Sequence, residues 1–252
     1  MRLKYLIATL LTFTVLITAS GQPKELLEKG NSAYMESKYP EAIEFYNKVV
    51  SQGYSSATLF YNLGNAYYKT NQIGYAILNY ERAKLLAPAN ENIDYNLNIA
   101  KMYVVDKIEV LPTFFVNRWV NNLINTMSSD GWAILTAVLL SVFLVVGIVY
   151  FWSGSRGVKK SLFFAAIFLL VLSVFSTKFA FNQKNKVTDH DKAIIFSHSV
   201  TLKSSPDESG TNLFLLHEGF KVEITDKVGE WLEIRVSDGN KGWLKSSEVE
   251  II

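Results

Sequence analysis

Gly30-Asn31-Ser32-Ala33-Tyr34 opens a segment, residues 30–46, that returns 34 residues later as Gly64-Asn65-Ala66-Tyr67-Tyr68, opening residues 64–80. The echo continues along both copies. Ala42 recurs as Ala76, Ile43 as Ile77 and Tyr46 as Tyr80. Self-similarity at this period is the mark of a helix–turn–helix unit that buries its apolar face only against a neighbouring unit. Such arrays bind other proteins far more often than they carry chemistry.

The second copy reads Phe60-x-x-Leu63-Gly64-x-x-Tyr67, then Ala76-x-x-x-Tyr80-x-x-Ala83, then Pro88. In these positions it resembles the tetratricopeptide repeat (TPR) family. Gly64 and Ala76 are small where two helices approach closely, with Tyr67 and Tyr80 filling the space beside them. Asn71 suits a left-handed helix end and Pro88 stops the second helix. The first copy departs from the pattern: Lys29 stands for an apolar residue, Ala33 for a large aromatic one, and Tyr54 for the closing proline. The reading is an all-α TPR solenoid over 22–111, with repeats at 23–56 and 57–90 and a final covering helix at 91–105. About three repeats are usual for stability, so an array of two and a half is expected to be completed by something else.

Three apolar blocks set the rest of the organisation. Residues 1–21 carry Arg2 and Lys4, an apolar run from Tyr5 to Ile17, and small residues around Ala19-Ser20-Gly21, the pattern of a secretory signal peptide cleaved after Gly21, or of an uncleaved anchor. Residues 131–152 and 161–181 are long and apolar enough for two transmembrane helices, with Trp132 and Trp152 bracketing the first. The short basic loop 153–160 between them is expected in the cytoplasm by the positive-inside rule. Lys178, Lys184, Lys186 and Lys192 after the second span weaken that vote, but a signal-like start feeds the first span from outside, so the expectation is a two-pass protein of the bacterial inner membrane with both soluble parts in the periplasm. Segment 112–129 alternates Phe114, Phe115, Trp119 and Leu123 with Arg118 and asparagines. It is read as an amphipathic interfacial segment, the other choice being packing on the end of the repeats.

After a polar linker at 182–191, alternation replaces helical periodicity. Val222–Ile224 and Trp231–Val236 read as strands, and Asp238-Gly239 as a type I′ hairpin turn with both central residues at positive φ. Residues 192–252 resemble the bacterial SH3 (SH3b) family in Ser205-Pro206, Leu213-x-x-Leu216-His217-Glu218-Gly219-x-x-Val222, Gly229-x-Trp231 and Asp238-Gly239-x-x-Gly242-Trp243-Leu244. That resemblance implies a small all-β SH3-like barrel and, in many of its members, binding of cell-wall peptides or proteins through a shallow aromatic groove. Trp231 and Trp243 are its groove candidates, or else fold-defining core residues.

The TPR resemblance implies that the inner helices line a concave groove. The protein-binding candidates there are Lys24, Asn31, Tyr34, Tyr61, Asn65, Tyr68, Lys69 and Tyr95. TPR proteins often hold a peptide backbone with an asparagine at the position of Asn31 and Asn65, whose amide both donates and accepts. The tyrosines add flat contact area at low entropic cost. On this reading Asn65→Ala with Tyr68→Ala removes partner capture and leaves helicity unchanged. Leu27 and Tyr61 occupy positions where a carboxylate clamp would need a basic residue.

Several chemistries are excluded. Lys and Arg total 25 against 23 Asp and Glu, so nothing attracts nucleic acid. There is no cysteine, hence no disulfide or thiolate metal site, and His190, His198 and His217 lack ligand spacing. No nucleotide-binding or hydrolase motif occurs, and no cofactor, metal or enzymatic activity is expected. The order signal, TPR pair, two spans, SH3b resembles the BatE-type proteins of the Bacteroides aerotolerance (Bat) family. That resemblance implies membrane partners with von Willebrand A domains, a MoxR-type ATPase, and a role in stress or oxygen tolerance. Two functions stand open: a periplasmic scaffold working through the TPR groove, or an envelope-binding protein docking on peptidoglycan through SH3b.

Overall fold

The computed structural model describes residues 21–108 and 114–252; the expected signal segment lies outside them except for Gly21. Five helices come first: α1 (Gly21–Met35), α2 (Tyr39–Ser51), α3 (Ala57–Lys69), α4 (Ile73–Leu86) and α5 (Glu91–Lys101). The 34-residue echo is visible in their joints. Ser37 and Asn71, one repeat apart, both take positive φ, at 60° and 59°, and end the first helix of each pair. The Ser56 hydroxyl accepts from Leu59 N–H at 3.1 Å and so caps α3. A Cβ on Gly30 would lie 2.6 Å from the Tyr46 ring, and one on Gly64 2.7 Å from the Tyr80 ring. Each glycine is therefore the slot for a tyrosine from the next helix. Gly64→Ala is expected to cost about 1–3 kcal/mol by overpacking, read as a lower denaturation midpoint by circular dichroism.

The final helix stops at Lys101, short of the expected 105, and turns 102–103 lead to a buried Val104. α4 is buried nearly all round, including Gly74, Asn79 and Glu81. A helix with no free polar stripe must have neighbours on every side. Here these are α3, α5 and the C-terminal sheet.

That sheet is antiparallel, in the order β3-β2-β6-β5-β4-β1-β7. Its strands are β1 (Lys192–Ile195), β2 (Ser199–Lys203), β3 (Asn212–His217), β4 (Lys221–Val228), β5 (Trp231–Arg235), β6 (Lys241–Lys245) and β7 (Val249–Ile251). Register shifts between Thr201 and Lys203, and between Ile224 and Asp226, mark the bulges that bend it. Gly229, at φ 59°, opens the two-residue β4–β5 turn. The β5–β6 turn is not type I′. Only Gly239 has positive φ, Gly239 N–H donates to Val236 O at 2.9 Å, and Val236 N–H donates to Asn240 O at 3.0 Å. This is a three-residue loop with a left-handed glycine closing it, so Asp238 needs no strained backbone.

Between these parts lie α6 (Phe115–Ile124), α7 (Ser129–Trp152) and α8 (Arg156–Thr188). α7 and α8 are long and apolar enough to cross a membrane. Two boundaries differ from expectation. The loop between them shrinks from 153–160 to Ser153, Gly154 and Ser155, because Arg156 already starts α8. The expected linker 182–191 is helical as far as Thr188. Its polar residues are used as contacts: the buried Gln183 amide donates to Ile124 O and Met127 O, each at 3.1 Å, and Lys186 Nζ donates to Asn125 Oδ1 at 2.8 Å. Trp132 Nε1 donates to Ile124 O at 2.9 Å from the other side. The α6–α7 corner is thus clasped to α8.

Candidate binding groove and the sealed outer face

Asn31 and Asn65 are the hubs of a repeating polar ladder. Asn31 Oδ1 accepts from Tyr46 O–H at 2.8 Å and from Asn62 Nδ2 at 3.0 Å. One repeat on, Asn65 Oδ1 accepts from Tyr80 O–H at 2.7 Å and from Asn96 Nδ2 at 2.8 Å. Each asparagine therefore ties its own helix to the next two. Burial pushes the Tyr46 hydroxyl up to about 12 and Tyr80 further in the same direction, so both phenols stay protonated and donating. The amide carbonyls are consumed inside the protein, which leaves the N–H groups of these two residues for any ligand.

Two adjoining concavities follow from this ladder. One, about 320 Å³, is lined by Tyr34, Tyr61, Asn65, Tyr68, Lys69, Tyr80, Asn96 and Ile99. The other, about 220 Å³, is lined by Asn31, Tyr34, Met35, Tyr46 and Asn62, so Tyr34 is their shared wall. Six of the eight sequence candidates thus come together. Lys24 does not: it lines a separate hollow with Pro23, Leu27 and Tyr54. Tyr95 is exposed on α5, one position from Asn96, and lines neither concavity. Tyr68 O–H lies 3.2 Å from Tyr103 O–H, adding a tyrosine that sequence reading passed over. Among the described residues Lys69 is the only charged one lining these two concavities, so the groove is an aromatic and amide surface. The Asn65→Ala test changes meaning, because it strips Tyr80 of its acceptor and perturbs the fold. Tyr34→Ala with Tyr68→Ala is the cleaner pair.

The opposite side of the repeats is closed by the sheet. Tyr75 and Phe196 meet edge to face at 4.6 Å between centroids, and a Cβ on Gly219, at φ 84°, would lie 3.1 Å from Val104 and 3.3 Å from Ile77. Buried Glu81 takes Lys101 Nζ at 2.7 Å on one oxygen and Lys221 Nζ at 2.6 Å on the other. Asp106 accepts from His217 N–H at 2.6 Å and faces His217 Nδ1 at 2.9 Å. Arg82 Nη2 donates to Ile251 O at 2.6 Å. Ala76, Ile77 and Leu78 of α4 share one apolar core with Ile194, Ile195 and Val222 of the sheet. A cleft of about 350 Å³ at this junction has its cations in ion pairs, Arg235 with Glu223, Lys192 with Asp191, and Lys101 and Lys221 with Glu81. None of this docking was expected from sequence, and His217, noted there only for its lack of ligand spacing, belongs to it.

Trp231 and Trp243 lie on one face of the sheet. Trp231 pairs with Lys245 and Glu233 with Trp243, while Leu232, Ile234 and Leu244 alternate onto the core face. Trp231 is covered there, with Lys245 Nζ 5.7 Å from its ring, and Trp243 is half-buried. Both sit on β5 and β6, whereas the contacts named above with the repeats come from β1, β3, β4, β7 and their connections.

Two family models match the chain: a TPR repeat over residues 30–71 and a bacterial SH3 domain over residues 198–250. The chain carries a TPR repeat and an SH3b domain. The TPR match runs from the middle of α1 through α3 and so includes Asn31, Tyr34, Asn65 and Tyr68. The SH3b match spans the sheet from the β1–β2 connection to β7 and includes both tryptophans. No curated protein matches the chain. TPR repeats point to protein–protein interaction, and SH3b domains to cell-wall binding.

Proposed function

We propose that this protein is a non-enzymatic, membrane-anchored scaffold that captures another protein in the TPR groove. One observation carries the reading: with the outer face of α4 covered by the SH3b domain, the tyrosine- and amide-lined groove remains open on the repeats. Flat phenol rings and amide N–H donors suit an extended main chain. The apolar side chains of α7 and α8, such as Leu144, Phe151 and Phe168, are exposed, as a lipid-facing hairpin requires. The signal-like start and the basic residues Arg156, Lys159 and Lys160 at the start of α8 favour the bacterial inner membrane, with the head in the periplasm. The Bat-type resemblance supplies the first candidates for partners, membrane proteins with von Willebrand A domains.

The expected result is that full-length protein with Tyr34→Ala and Tyr68→Ala keeps its circular dichroism spectrum but loses at least tenfold of the partner recovered after in-cell chemical crosslinking. Undiminished recovery contradicts the groove assignment.

The half-open Trp243 beside Trp231, on a face the repeats do not cover, favours a second reading in which SH3b docks on peptidoglycan. Full-length protein in detergent is then expected to sediment with purified sacculi and to lose this with Trp243→Ala. Absence of sedimentation removes that reading.

A further inference from the structure

We infer that α6 is an interfacial helix that seats the protein on an anionic phospholipid surface, an inference that rests on the membrane reading above. Its ten residues divide cleanly at 100° per residue. Phe115, Val116, Trp119, Val120, Leu123 and Ile124 fill one half, and Asn117, Arg118, Asn121 and Asn122 the other. The apolar half is almost unpartnered: Phe115 is 71% exposed and Trp119 66%, and only Ile124 at the C-terminal end is buried. A free helix of this length is marginal in water, where about 12–15 residues are needed. Something must cover its aromatic face.

The clasp on α8 fixes where that cover is. Gln183 and Lys186 hold the end of α6 level with the point where α8 changes from Phe179-Ala180-Phe181 to Asn182-Gln183-Lys184. That is the level at which a span leaves hydrocarbon for the headgroups. The aromatic face of α6 therefore adjoins the exposed apolar belt of α7 and α8, and the cover that continues this belt is lipid. At the same end Arg118, Lys178, Lys184 and Lys186 outnumber Asp130 and Asp189. Among the described residues none of these four cations is in an ion pair. An excess of unpaired cations at headgroup level selects negatively charged lipid.

The natural absence of cysteine allows single spin labels on the full chain. Phe115→Cys, Trp119→Cys, Asn117→Cys, Asn121→Cys and, on α7, Leu144→Cys would be labelled in nanodiscs of phosphatidylcholine, with and without one-third phosphatidylglycerol. The expected result is that labels at 115 and 119 meet oxygen and not a water-soluble nickel chelate, while those at 117 and 121 show the reverse. The contrast sharpens with phosphatidylglycerol, and Arg118→Gln with Lys184→Gln removes the sharpening. A label at 144 outside lipid overturns the membrane reading itself. With 144 in lipid, nickel access at 115 and 119 overturns the interfacial helix, as does shielding from both reagents, the sign of a protein cover. Equal behaviour in the two lipid mixtures overturns the anionic preference.

Discussion

Glu81→Ala is expected to release the SH3b domain from the repeats while both keep their own folds. The substitution leaves Lys101 and Lys221 without their shared carboxylate at a buried junction. Removing one partner of a buried ion pair costs about 3–5 kcal/mol, and less here because Lys101 retains 42% and Lys221 33% of its side-chain exposure. Hydrogen exchange reads the result directly: amides of α4 and of Gly219–Val222 lose protection together, while β5 and β6 keep theirs. Glu81→Leu with Lys221→Met replaces the pair by apolar contact and is expected to restore most of the protection.

The same pair sets an acid limit. Burial alone would raise the Glu81 carboxyl, but Lys221 and Lys101 outweigh burial and hold it at about 2. A carboxylate lowered from its ordinary 4.5 by folding of the repeats, through Lys101, and by docking, through Lys221, stabilises the docked fold fully above that value. The contribution is lost as pH falls toward 2. Lys221 also moves down, because burial outweighs the pull of Glu81 and because Lys101 and Lys192 repel it. Its effect belongs to alkaline pH, where it sheds its proton sooner than an ordinary lysine and loosens the clasp. Protection of Gly219–Val222 is therefore expected to hold at pH 5 and fall on approach to pH 2.

Tyr80→Ala is expected to be the most damaging single change within the repeats. Tyr80 fills the slot left by Gly64 and donates to Asn65, so truncation opens a cavity and breaks the ladder at once. Aromatic-to-alanine changes in cores cost about 3–5 kcal/mol. Tyr80→Phe keeps the ring and loses only the hydrogen bond, about 1 kcal/mol, because Asn96 still donates to the Asn65 carbonyl. Denaturation of the full chain followed by circular dichroism is expected to rank the variants native, Phe, Ala. A Phe variant as unstable as Ala would show that the hydrogen bond, not the packing, holds the repeat.

The repeat was legible because small and aromatic residues recur where helices touch, and the TPR resemblance set Gly64 and Ala76 at the close approach with Tyr80 beside them. The groove was legible through the TPR resemblance, which puts inner-helix positions on one concave face. The use of the asparagine carbonyls was not, although a cue existed: Asn31 and Asn62 stand 31 residues apart, as do Asn65 and Asn96. The docking of SH3b was the largest omission. Its signal lay in α4, where Gly74, Ala76, Ile77, Leu78, Tyr80 and Ala83 leave no continuous polar stripe. What completes the short array is thus this chain's own C-terminal domain. Residues 182–191 misled because polarity reads as linker, whereas Gln183 is polar in order to satisfy the carbonyls of Ile124 and Met127.

The central claim is that the groove, and not the sealed outer face or the SH3b sheet, takes the partner. In-cell photocrosslinking with a photoreactive side chain in place of Tyr68, and separately of Trp243, tests it most directly. The account predicts a discrete protein adduct from position 68 that disappears with Tyr34→Ala. Adducts from position 243 alone, with none from 68, would contradict it.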